Sequence, residues 1–66
     1  MHKATIKVIT HAGQALAYSN QALAVLDMWM DVLTPDDEME SRRVAAVYSL
    51  VSEATAYLAK TQEAAA

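Results

Sequence analysis

The Thr34-Pro35 step constrains this chain more than any other feature. Proline disfavours helical backbone angles at the residue before it, so a helix arriving from the N-terminal side ends near Leu33. The same ring suits the first turn of a new helix, where its missing N–H would have no partner anyway. Thr34 then stands as N-cap, and Asp37 follows three residues on, in the capping-box place usually held by Glu or Gln. Asp36, Asp37, Glu38 and Glu40 set negative charge on the positive end of the second helix dipole. The expected fold class is therefore all-α, an antiparallel two-helix hairpin that turns round at residues 34–37.

The apolar pattern on either side agrees. From about residue 11 to 33, Ile9, Ala12, Leu16, Ser19, Leu23, Leu26, Met30 and Leu33 recur at alternating spacings of three and four. One step round the helix, Val8, Ala15, Tyr18, Ala22, Val25, Trp29 and Val32 form a second stripe, while Gln14, Asn20, Gln21, Asp27 and Asp31 define a wet side. Gly13 weakens this helix by about 1 kcal/mol relative to alanine and is expected to mark where its rigid part begins. The second helix, about residues 35–61, carries a seam of Val44, Val47, Val51, Ala54 and Leu58, flanked by Tyr48, Leu50 and Tyr57. Its opposite face, Ala45, Ser49, Ser52, Ala56 and Ala59, is small throughout and reads either as a solvent face of good helix formers or as a close helix contact. Glu38 and Arg42 form a favourable (i, i+4) pair. Residues 62–66 are expected to fray.

Residues 1–10 read two ways. Ala4-Thr5-Ile6-Lys7-Val8-Ile9-Thr10 is rich in β-branched side chains and suits a short strand, yet Ile9 also continues the helical spacing. A strand here needs a partner, and no other strand-like run exists in the chain.

Sixty-six residues form one domain at most, and a chain of this size buries only about 60% of its unfolded surface. Small folds compensate with disulfides, metals or oligomerisation. No cysteine is present, and the two histidines, His2 and His11, both fall early in the chain as expected surface residues, so neither a disulfide nor a zinc site is expected. Oligomerisation is the remedy left. Two antiparallel helices cannot enclose both stripes of the first, so the expected assembly is a homodimer forming a four-helix bundle. Its dimer and core residues are Ile9, Leu16, Leu23, Leu26, Trp29, Met30, Leu33, Val44, Val47, Val51 and Leu58.

Charge and motifs narrow the function by subtraction. A formal net charge of −3 argues against a nucleic-acid backbone as main partner. No apolar run of about 18 residues is present, so no transmembrane helix is expected. The apolar residues after Lys3 are interrupted at Lys7 and lack a signal-peptide core, which with the missing cysteine points to the cytoplasm. No Ser/His/Asp arrangement, phosphate-cradling glycine loop or Glu-x-x-His motif occurs, so no catalytic residue, cofactor or metal is expected. Asp27 and Asp31 share a helix face, but on its solvated side.

What is left is the turn end. Six of the eight carboxylates, Asp27, Asp31, Asp36, Asp37, Glu38 and Glu40, lie between residues 27 and 40. Capping and solubility account for such a cluster, and so does docking on a basic patch of another protein. Met28 falls in line with Gln14 and Gln21 on the wet face, and with Met39 it forms an adaptable apolar patch. Asp27, Met28, Asp31, Asp36, Asp37 and Met39 are thus the candidate partner-binding residues.

Ile6-Lys7-Val8, Ala15-Leu16, Ser19, Ala22-Leu23 and the stretch Val44 to Leu58 resemble small pseudomonad helical-hairpin proteins of unknown function. That resemblance spans most of the chain and implies a β-like arm before the first helix. The Pro-Gly that follows the arm in those proteins is replaced here by Thr10-His11. It implies no catalytic residue and no activity.

The expectation is a non-enzymatic, cytoplasmic, dimeric module that binds an unidentified protein as a small regulator or inhibitor. A structural subunit or assembly chaperone sharing its apolar stripe with a partner helix is the alternative. RNA binding by a paired hairpin is disfavoured by the charge.

Overall fold

The structure, a computed structural model, describes residues 2–65. Two helices, α1 (Lys3–Val32) and α2 (Glu38–Ala65), lie antiparallel in a rod of 53 × 16 × 14 Å. A single 3-10 turn at Pro35–Asp37 leads into α2. Among the described residues there is no strand.

The N-terminal segment resolves as helix, because its backbone groups find local partners that a lone strand would lack. His2 is the N-cap: its extended backbone (φ −66°, ψ 142°) lets Nδ1 accept from the Ala4 N–H at 3.2 Å, and its carbonyl accepts from the Ile6 N–H at 3.1 Å. One turn on, the Thr10 hydroxyl donates to the Ile6 carbonyl at 2.9 Å, the bond by which threonine is accommodated inside a helix. The arm implied by the resemblance is thus absent, and α1 runs for 30 residues.

The turn forms as its sequence dictates, with one difference of detail. Leu33 leaves the helix at ψ 140° while its N–H still donates to the Met30 carbonyl at 3.3 Å, and Thr34 is extended at φ −104°, ψ 169°. The Asp37 carboxylate then does most of the capping. Its Oδ2 accepts from the Thr34 N–H at 2.9 Å and from the Thr34 hydroxyl at 3.1 Å, while the Asp37 N–H donates to the Thr34 carbonyl at 2.9 Å. Glu38 and Arg42 pair at 2.6 Å, but both are largely exposed, and a pair of this kind contributes about 0.3–0.5 kcal/mol.

The α1 side of the seam follows the predicted stripe. Ile9, Ala12, Leu16, Ser19, Leu23, Met30 and Leu33 are half-buried and Leu26 is buried. On α2 the seam is rotated from the expected one. Ser41, Val44, Tyr48, Val51, Thr55, Leu58 and Gln62 turn inward, whereas Val47 and Ala54 are exposed. Both seams share Val44, Val51 and Leu58, and they differ in taking Tyr48 for Val47 and Thr55 for Ala54. Thr55 is tolerated inside because its hydroxyl donates to the Val51 carbonyl at 2.7 Å and so is satisfied within its own helix. Among the described residues only Leu26 and Val44 are buried outright, at 9% and 2% exposure.

At the open end a polar contact joins the half-buried Ile9 in holding the helices together. Gln62 of α2 lies over Gly13 of α1, and its Nε2 donates to the Ile9 carbonyl at 3.1 Å. Helix α2 continues past the predicted boundary at residue 61 as far as Ala65, with Gln62 tied across the seam. A methyl group at position 13 would meet Gln62 Oε1 at 3.4 Å, ordinary van der Waals distance to the mobile end of a side chain. Gly13→Ala is therefore expected to stabilise the hairpin by up to about 1 kcal/mol through helix propensity, read as a raised Tm. A lowered Tm would mean that the Gln62 bond is worth more than that gain. Asp37→Ala removes two of the three bonds of the cap and is expected to cost about 1 kcal/mol, more than Thr34→Ala, in chemical denaturation of the two variants side by side.

Candidate docking surface

The side chains just outside the seam decide what the hairpin can do. Trp29 precedes Met30 of the seam on α1, and Val47 precedes Tyr48 on α2. Both are outside the contact line, at 44% and 48% exposure. In antiparallel helices the positions preceding the seam fall on one side of the pair. The structure bears this out, because Trp29 and Val47 line the same cleft. Tyr18, Val25 and Val32 from α1 and Leu50 and Tyr57 from α2 also precede seam positions and continue the same row, all exposed. One long side of the rod is thus apolar from Tyr18 and Tyr57 to the cleft, where Glu40 and Arg43 take the same positions on α2.

The cleft is the deep part of this side. It is an open hollow of about 580 Å³ beside the turn, floored by Leu26, Trp29, Met39, Val44 and Val47. Asp36, Asp37, Glu40 and Arg43 form its rim. Arg43 is drawn along the rim by Met39, with Nη2 3.4 Å from the sulfur. Towards the open end, the Lys60 ammonium sits 5.4 Å from the centre of the Tyr57 ring, a cation–π contact that places positive charge beside the apolar side there.

The opposite long side is polar or small. The positions following the α1 seam carry Asn20, Asp27 and Asp31, and α2 contributes Ala45, Ser49, Ser52 and Ala56, all exposed, with Ala59 half-buried. The six candidate partner-binding residues are therefore divided. Asp36, Asp37 and Met39 line the cleft, while Asp27 and Asp31 lie on the polar side and Met28, 68% exposed, lies on the outer back of α1. No single surface holds all six.

Sequence reasoning counted Glu40 only within the acidic cluster, passed over Arg43, and set Trp29 and Val47 among the dimer and core residues without assigning them to this cleft. The signal was present in the α2 register. Counting Ser41, Val44, Tyr48, Val51 and Thr55 as the inward set puts Val47 one step outside, opposite Trp29.

Chemically the surface offers apolar area, one indole and charge at the rim. Among the described residues no group of His, Asp and Glu side chains is gathered where it could hold a metal ion. No described helix is long and apolar enough to cross a membrane. Set against family models, curated proteins and solved structures, the chain matches none of them.

Proposed function

We propose that this chain is a non-enzymatic protein-binding module that pairs with a second copy as a four-helix bundle and acts in the cytoplasm as a small regulator or inhibitor. One observation carries the reading: among the described residues only Leu26 and Val44 are buried, while Tyr18, Val25, Trp29, Val32, Val47, Leu50 and Tyr57 stand exposed along one side. Contiguous exposed apolar surface of this extent marks a contact site rather than a solvent face. The total area supports it. The chain exposes 5125 Å², where a globular protein of its 7.2 kDa exposes about 4,100 Å². The excess is similar to the roughly 800 Å² that each partner hides in a standard interface.

In such a dimer Asp27, Met28 and Asp31 stay outside the apolar contact and are free to meet a second protein. The likeness to small pseudomonad hairpin proteins fits this reading and adds no activity to it. In the alternative, a structural subunit or assembly chaperone, the apolar side is covered by a helix of a larger partner.

The double variant Val25→Asp with Leu50→Asp places charge at the centre of the apolar side without touching the seam. Sedimentation equilibrium of the parent is expected to give twice the 7.2 kDa chain mass at micromolar concentration. The double variant is expected to associate at least about 100-fold more weakly, since an unpaired buried charge is strongly unfavourable. Equal association of parent and variant would sink the reading. Replacing Asp27, Met28 and Asp31 together by alanine is expected to leave helicity and dimer mass unchanged while reducing capture of a partner in pull-downs from cell extract. Undiminished capture by the folded triple variant would move the partner site to another face.

A further inference from the structure

We infer that the two hairpins pack their Trp29 sides together in opposite directions, each acidic turn lying over the open end of the other copy. This rests on the dimer reading above and adds the orientation, which apolar area alone leaves undecided. Two hairpins can join these faces about a two-fold axis along the rod, turn over turn, or across it, turn over open end. Either arrangement buries much the same side chains and leaves neighbouring helices antiparallel, so packing and helix dipoles favour neither.

Charge separates them. The half of the rod nearer the turn, residues 19–51, carries six carboxylates against Arg42 and Arg43, a net side-chain charge of −4. The open half carries Lys3, Lys7 and Lys60 against Glu53 and Glu63, a net of +1. Turn over turn sets −4 against −4, and turn over open end sets −4 against +1 twice. The charges also lie near the contact. Asp36, Asp37 and Glu40 rim the cleft on the apolar side against a single cation, Arg43, which leaves the rim net negative, and the Lys60 ammonium stands over Tyr57 at that side's far end. Arg42, already counted in that −4, is paired with Glu38 at 2.6 Å and follows Ser41 of the seam, on the opposite long side from the cleft. Across an interface a few ångströms wide such charges fall within the Debye length of about 8 Å at physiological salt, and like charges facing each other select against the wrong partner geometry.

The experiment uses the full chain in two forms. First, the dimer dissociation constant of the parent is measured by sedimentation at about 50 and 500 mM salt, which spans the range from weak to strong screening. Turn over open end predicts several-fold weaker pairing at high salt, because attraction is screened. Turn over turn predicts tighter pairing, because repulsion is screened. Second, Asp36→Cys supplies a single labelling site at the turn of a chain that has no cysteine of its own. Spin labels there are expected to lie at a distance approaching the 53 Å length of the rod. A separation within about 20 Å, two helix diameters, together with pairing tightened by salt, would overturn the orientation while leaving the dimer standing. A 7.2 kDa mass for the parent at 100 µM or so would overturn orientation and dimer together.

Discussion

Two helices laid side by side touch along a single line, and that limit governs the rest of this hairpin. A seam with alternating spacings of three and four hides about a third of each helix. On α1 that third runs from Ile9 to Leu33, and on α2 from Ser41 to Gln62. Every large apolar side chain beyond it, from Tyr18 to Val32 and from Val47 to Tyr57, faces outward. Even within the seam, burial among the described residues is deepest at Leu26 and Val44. A third helix, from whatever source, is the ordinary physical answer to such a surface.

The turn holds the hairpin by direction rather than by burial. Pro35 forbids α1 to continue, Thr34 supplies the extended residue that reverses the path, and the Asp37 carboxylate closes back on the Thr34 N–H and hydroxyl. The acidic end is in part a by-product of that capping. The same carboxylates that suit the helix dipole of α2 also rim the cleft, so one set of charges serves a local structural need and shapes the surface.

Helix number, direction and turn were legible in the sequence because each is a short-range property. Proline at 35, a capping residue on either side and apolar spacing over thirty residues all point the same way. The α1 stripe was legible too, since its rival, the Trp29 stripe, is offset by only one position and neither leaves the apolar face. The α2 register was not. Val47 and Tyr48, or Ala54 and Thr55, serve almost equally well by hydrophobicity, and the choice is made by how α2 rolls against α1. The N-terminal segment was open for a different reason. Its β-branched residues favour a strand locally, and the deciding fact is that His2 can cap a helix whereas a strand would have no neighbour. The candidate site was read in part, because charge clusters show in sequence whereas the side of the rod on which each charge falls depends on that register.

The Gln62–Ile9 bond lies 53 residues apart along the chain, whereas the pairs beside the turn are separated by few. Loop-closure entropy makes the near contacts the cheapest to form first and the far ones affordable only once the seam between has shut. The hairpin thus has a built-in order of assembly, in which the reversal at Pro35 nucleates and α2 lays down along α1 layer by layer towards the termini. Opening runs the other way. The polar clasp over Gly13, backed at its outer end by the half-buried Ile9, is the natural place for the two helices of this zipper to part.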